Sequence, residues 1–297
     1  MPSWNDLIEL AQPHTAIEEK KKQFFKQLHK LTGRNIVVYY SAWQQKYGQN
    51  GDFYIIDNDR NGFMDALRNL DKSKGLDLIL HTPGGDLTAT KSIVEYLKAY
   101  FNNDIRVIIP NTAMSAGTMI ACSGKEIIMG LHSTLGPIDP QIMNAPAYEY
   151  LEMLNNALND LNNNKNVFYW NTVLLSKYPP TFFGMCTKVI KLSERYVEEW
   201  LLDNMLKHDK TGAKRTTEYL ANYHFHLQHG TRLHYNNLVQ HTKLNITKLE
   251  DNPKFQELVL SIYHCYQILA DRTPFCKIIE NHNGLKFISS LPPNLNR

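Results

Sequence analysis

Two glycine-rich turns constrain this 297-residue chain more than any other feature. Each stands at the carboxyl end of a short apolar run, and one βα unit separates them. Residues 75–101 read GLDLILHTPGGDLTATKSIVEYLKAYF, and residues 105–130 read IRVIIPNTAMSAGTMIACSGKEIIMG. Asp77–His81, bounded by Gly75 and by Pro83-Gly84-Gly85, reads as a strand buried on both faces. Leu87, Ile93, Val94, Leu97 and Phe101 fall on one side of a helix over 86–101, which Asn103-Asp104 breaks. Ile105–Pro110 is a second such strand. Asn111–Ser115 turns into a helix carrying Met119, Ile120 and Cys122 and ended by Gly124. Glu126–Met129 is a third short strand. Strands alternating with helices predict a parallel sheet with right-handed crossovers. Ligands on such sheets bind beyond the carboxyl ends of the strands, so the two turns are expected to be neighbours.

Each turn residue has a task available to it. Gly84 and Gly85 lack Cβ, so the chain can turn sharply and aim an N–H at a ligand. Ser115 sits at a strand-to-helix turn. The N–H of Ala116 lies at a helix N-terminus, which favours negative charge. Ala116 and Gly117 are small enough for a substrate backbone to approach. Singly, Pro-Gly-Gly also reads as an ordinary turn and Ser115 as an ordinary N-cap. Together they pair a backbone N–H pocket with an exposed hydroxyl, as acyl transfer through serine requires.

These residues resemble the ClpP/crotonase-like serine peptidases, and most closely the serine dehydrogenase proteinase family, related to signal peptide peptidase A. The matching motifs are Leu78–Gly85 (LILHTPGG), Ala113–Ala121 (AMSAGTMIA) and Ser133–Gln141 (STLGPIDPQ). A weaker match runs through Lys177–Leu201, His229-Gly230 and on to Leu249. The resemblance implies an α/β, ClpP/crotonase-like fold of repeated ββα units with additional peripheral helices. It implies a serine-type peptidase acting on a peptide or protein, with Ser115 as nucleophile. It implies an oxyanion hole from the N–H groups of Gly85 and Ala116, with Gly84 shaping the turn. It also implies a homo-oligomer. No cofactor is called for.

The general base departs from the relatives. In ClpP a histidine follows the nucleophile by about one ββ unit, and Asp139 occupies that place here. The signal peptide peptidases use a lysine, and the stretch after Ile142 (MNAPAYEYLEMLNN) holds none. Candidates are Asp139, His132, His81 and the more distant His229. His81 ends the strand leading into Pro-Gly-Gly and serves either as base or as support for the turn. His132 follows the Ser115 helix by one strand and either reaches back or caps the turn before Ser133. Asp139, in a rigid Gly-Pro-Ile-Asp-Pro turn, is a weak base unless burial raises its pKa. It also suits orienting a histidine, or accepting bonds in an Asx-turn. Two other functions compete. A crotonase-type acyl-CoA enzyme would use the same N–H pair for a thioester enolate, but has no use for an exposed serine. A catalytically inactive scaffold or peptide-binding protein would lack a competent base.

The remaining features narrow the class. His224, His226, His229 and His234 lack the accompanying carboxylate of a zinc motif, so no metal is expected. Asp57–Gly62 mimics an EF-hand loop, but Arg68 stands where the bidentate carboxylate belongs, so a loop opening a helix at Phe63 is predicted. Net charge is +3, with no basic stripe interleaved with aromatics, so nucleic acid is not an expected partner. Glu18–Lys22 reads as a solvated helical face. The four cysteines show no CxxC spacing and read as reduced thiols of a cytoplasmic protein. No secretory signal and no transmembrane segment is read.

Three regions are expected. Residues 1–33 form an N-terminal helical extension, with one or two amphipathic helices over Asn5–Leu31 around Pro13. Residues 34–251 form the peptidase domain, including strands Ile36–Tyr40 and Phe53–Ile56. Residues 252–297 form a C-terminal helix and tail, frayed over Ser289–Arg297. Further helices are expected over Ala147–Leu161 and from Tyr178-Pro179-Pro180 through Leu206.

Overall fold

A computed structural model describes residues 14–292. The part of the N-terminal helical expectation ahead of His14, and residues 293–297 of the tail, lie outside the described residues. The strands are β1 (Asn35–Ser41), β2 (Leu76–His81), β3 (Ile105–Ile109), β4 (Thr112–Ala113), β5 (Glu126–Met129), β6 (Thr134–Leu135), β7 (Gln141–Ile142), β8 (Ala145–Pro146), β9 (Leu233–His234), β10 (Ile246–Lys248), β11 (Phe275–Asn281) and β12 (Lys286–Ser290). One sheet takes the order β10-β5-β3-β2-β1-β11-β12. Its first five strands run parallel, and β11 and β12 add an antiparallel hairpin beyond β1.

Continuous apolar runs form the central strands because both faces are covered. Val37, Tyr39, Leu78, Leu80, Val107 and Ile109 enter one core, under helices Asp59–Leu67, Leu87–Phe101, Ala116–Ser123 and Phe182–Asp203. Their neighbours Ile36, Val38, Tyr40, Ile79 and Ile108 enter the other, under His14–Thr32 and Pro253–Arg272. Local chemistry sets the helix ends. The Asp86 carboxylate accepts from the Ala89 N–H at 2.7 Å, and Asn102 closes the same helix in a left-handed conformation.

The structure corrects several sequence-based boundaries. Phe53–Ile56 is not a strand; it contributes one parallel bridge, Ile55 to Gly85. The EF-hand-like segment starts its helix at Asp59, not Phe63, because the buried Asp59 carboxylate accepts the Ile56 N–H at 3.1 Å. Lys21 does not lie on a solvated face. It is fully buried, with its ammonium 2.7 Å from Glu280 Oε2 and 2.9 Å from Glu18 Oε2. Strand β11 goes unread in the sequence for the same reason. Its Lys277 and Glu280 look like surface residues, yet both are buried against partners on other elements. Part of the tail expected to fray belongs to β12.

Candidate active site

The pairing of β2 with β3 carries their two following turns to the same place. The Thr82 N–H donates to Thr112 O at 3.1 Å, and the Met114 N–H returns to Thr82 O at 3.0 Å. Pro83-Gly84-Gly85 and Met114-Ser115-Ala116 therefore lie side by side. A Cβ on Gly84, whose φ is +103°, would stand 2.8 Å from both Met114 O and Ser115 Cβ. A Cβ on Gly85 would stand 2.3 Å from the Ile55 backbone N and O. Only glycine fits at either position.

Ser115 has φ +51° and ψ −115°, outside the conformations an L-residue adopts readily. Its hydroxyl makes no capping bond to the helix it precedes. Backbone strain of this kind typically costs about 1–3 kcal/mol and persists only where surrounding contacts enforce it. Here those contacts come from Gly84 on one side and from the helix on the other, where the Gly117 N–H donates to Met114 O at 2.7 Å.

The backbone bonding leaves two donors over. In the parallel bridge, the Ile55 N–H donates to Gly84 O at 2.8 Å and the Asp86 N–H donates to Ile55 O at 2.9 Å. Gly85 itself thus directs its N–H away from Ile55. Ala116 is the first helical residue, where no intrahelical acceptor exists. Among the described residues, neither N–H has a hydrogen-bond acceptor in the protein, and both residues line one cleft of about 700 Å³.

The same cleft is lined by Ser115, His229 and Arg232. Asp139 is buried behind it. The His229 Nδ1–H donates to Asp139 Oδ1 at 2.9 Å, and Gln141 Nε2 donates to Asp139 Oδ2 at 2.9 Å. A carboxylate can only accept, so the pair fixes the proton on Nδ1 and leaves the Nε2 lone pair free. The turn carrying Asp139 is fastened to the Ser115 helix through Thr118. Its Oγ1 donates to Gly136 O at 2.9 Å, and the Gly136 N–H donates to Thr118 Oγ1 at 2.9 Å.

The other histidines fall elsewhere. His81 is buried among Trp43, Tyr40 and Tyr263, and its burial pushes its pKa down to about 3. His132 spends Nε2 on Pro110 O at 2.9 Å and turns Nδ1 toward Glu250. Neither lines the cleft. His226 bonds Tyr219 O, and His224 lies 3.3 Å from Glu152. Among the described residues no group of three His, Cys, Asp or Glu side chains is arranged to hold a metal. All four cysteines are buried and unpaired. No helix among the described residues is long and apolar enough to cross a membrane.

The sequence offers Asp139, His132, His81 and the more distant His229 as bases; the structure puts His229 in the cleft with Ser115, Gly85 and Ala116, bonded to Asp139, and puts His81 and His132 outside it. The signal available was a His-Gly pair ahead of the short strand β9, which runs antiparallel to β6 and so returns the chain to the site.

Two uncharacterized proteins of Methanocaldococcus jannaschii are similar to the chain. One is 44% identical over 94 residues, 32% of each chain. The other is 33% identical over 150 residues, 50% of this chain and 46% of that protein. The matches thus span about a third and just under half of those relatives' lengths. Among solved structures, the 1510-N membrane-bound stomatin-specific protease covers 69% of this chain and 79% of its own at 14% identity, with a TM-score of 0.41. The model of one protein family matches residues 18–238, most of the chain. The chain belongs to that family, the ClpP-like SDH-type serine proteinases.

Proposed function

We propose that the protein is a serine peptidase in which Ser115 is the nucleophile, His229 the general base and Asp139 the group that orients it. The observation that carries this reading is the shared cleft. A strained serine free of capping duty faces the same space as a histidine whose Nδ1 is committed to a buried carboxylate. The Ser115 Oγ attacks the peptide carbonyl carbon and its proton passes to His229 Nε2. The oxyanion is received by the N–H groups of Gly85 and Ala116. Collapse breaks the C–N bond, and the leaving amine takes the proton from Nε2. Water then hydrolyses the acyl-enzyme by the same route. A rhodamine-linked fluorophosphonate tests the reading directly. It should modify the protein stoichiometrically, with the adduct mapped to Ser115 by peptide mass spectrometry. An adduct elsewhere, or none, overturns it.

The oxyanion hole yields a second expectation. Gly85→Ala must displace either the turn or Ile55, since the added methyl meets backbone and not a flexible side chain. Loss of one donor typically costs about 10²–10³ in rate. The second-order labelling constant should fall by that factor while the protein remains folded by circular dichroism. A labelling constant within threefold of wild type places the hole elsewhere.

The enzyme is further proposed to work as a homo-oligomer that restricts access to the cleft. Family membership supports this, as does helix Val167–Lys177, which has no buried residue and exposes Phe168 and Leu175 at 86% and 84%. Multi-angle light scattering at micromolar concentration should give a multiple of the 34.4 kDa chain mass. A fully active monomer removes the proposal.

A further inference from the structure

A buried ion pair on the far side of Ile55 has no role in the chemistry described so far. Lys277 on β11 and Asp59 at the start of its helix are 1% and 0% exposed, and their charges meet at 2.7 Å. Both groups also hold backbone. Lys277 Nζ donates to Tyr54 O at 2.7 Å. Asp59 Oδ2 accepts from the Ile56 N–H at 3.1 Å and from the Tyr39 hydroxyl at 2.8 Å. The residues immediately before and after Ile55 are thus fixed by one charged cluster. Ile55 in turn holds the glycine turn through both its N–H and its carbonyl. A Cβ on Gly85 would stand 2.3 Å from the Ile55 backbone N and O, so the turn and the segment lie too close for any side chain between them.

We infer that the Asp59–Lys277 pair is a positioning device for the oxyanion hole, setting the Gly85 N–H through the segment Tyr54–Ile56. The cluster is rigid because it is enclosed and charged. Displacing either ion would leave the other buried without a partner, which is far more costly than losing a surface pair. The segment it holds has a single bridge and no strand ladder; ahead of it the Ser41 hydroxyl donates to Phe53 O at 2.7 Å, and at Tyr54 O and the Ile56 N–H the charged cluster is what ties it to the core. An irregular segment beside a reacting centre needs such support, because small misplacements of a donor cost large factors in rate. Asp59 and Lys277 touch no substrate. They act through Ile55 on Gly85. The inference rests on the peptidase reading above.

The test separates the inactivation step from binding, using the same rhodamine fluorophosphonate. In Lys277→Met the maximal inactivation constant kinact should fall about 10- to 100-fold, with KI within threefold of wild type. This split is expected because only the reacting phosphonyl oxygen needs the hole. Where the single variant does not fold, the double variant Asp59→Asn/Lys277→Met decides. It removes both charges together and so avoids an unpaired buried ion, yet still lacks the bond to Tyr54 O. Its kinact should fall at least 10-fold at temperatures well below its melting midpoint. A folded variant with wild-type kinact overturns the inference. Failure of the wild type to label at Ser115 is a different result. It would remove the peptidase reading itself, whereas labelled wild type with unaffected clamp variants removes only the clamp.

Discussion

Ser115→Ala is expected to abolish fluorophosphonate labelling and to lower peptide hydrolysis by about 10⁶-fold, the scale seen when a triad nucleophile is deleted. That corresponds to about 8 kcal/mol of transition-state stabilisation. Folding stability should barely change. The hydroxyl caps no helix, so no stabilising bond is lost, and alanine carries the same Cβ into the same left-handed backbone. The melting midpoint should stay within about 2 °C of wild type, since about 1 kcal/mol moves it only 2–4 °C in domains of 150–250 residues. Ser115→Gly separates strain from chemistry. It should be equally inactive yet melt higher, because glycine accepts the conformation that serine is forced into. Wild-type turnover in Ser115→Ala would mean that another residue attacks the substrate.

The parts of this molecule that depend on short-range pattern were legible in the sequence. Leu76–His81, Ile105–Ile109 and Glu126–Met129 are strands because their apolar runs are buried on both faces, and that signal is local. The adjacency of Gly84 and Ser115 follows from parallel topology alone. What escaped was carried by long-range partners. Strand β11 reads as mixed polar sequence because Lys277 and Glu280 are neutralised by Asp59 and Lys21, more than two hundred residues earlier. The Phe53–Ile56 segment has strand-like composition but forms only one bridge, since its Tyr54 carbonyl and Ile56 N–H are taken by Lys277 and Asp59 instead. His229 stayed undistinguished because it lies ninety residues from Asp139 in sequence. Its one local signal is the His-Gly pair ahead of β9, and that pair does not by itself say that the chain returns past β6. His81 and His132 were attractive through proximity in sequence, yet the sheet turns one into an aromatic core and the other toward the Pro110 carbonyl.

The second large effect concerns that long-range pair. Asp139→Asn is expected to lower kcat by about 10⁴-fold, equivalent to about 5.5 kcal/mol, the scale seen when the orienting carboxylate of a serine triad is replaced by an amide. The mechanism is the tautomer. An amide N–H opposite Nδ1 favours the proton on Nε2, and a protonated Nε2 cannot accept from the Ser115 hydroxyl. His229→Ala should be at least as damaging. The pH dependence identifies the base. An imidazole accepts a proton only while neutral, so wild-type activity should fall in acid. That acid limb should vanish with His229→Ala, leaving a small residual rate that rises with hydroxide. His132→Ala should retain the wild-type limb. His81→Phe should retain it too, because burial holds the His81 pKa near 3 and keeps the ring neutral through the working range. The effect of His81 belongs to stability. Its folded pKa lies below the ordinary value of 6.5, so the unfolded chain binds the proton first. Stability is therefore intact above about pH 6.5 and drains away as the pH falls toward 3. Replacing His81 with phenylalanine should flatten that acid loss without moving the rate profile. If Asp139→Asn and His229→Ala both keep wild-type kcat and its acid limb, the base is another group and the triad assignment fails.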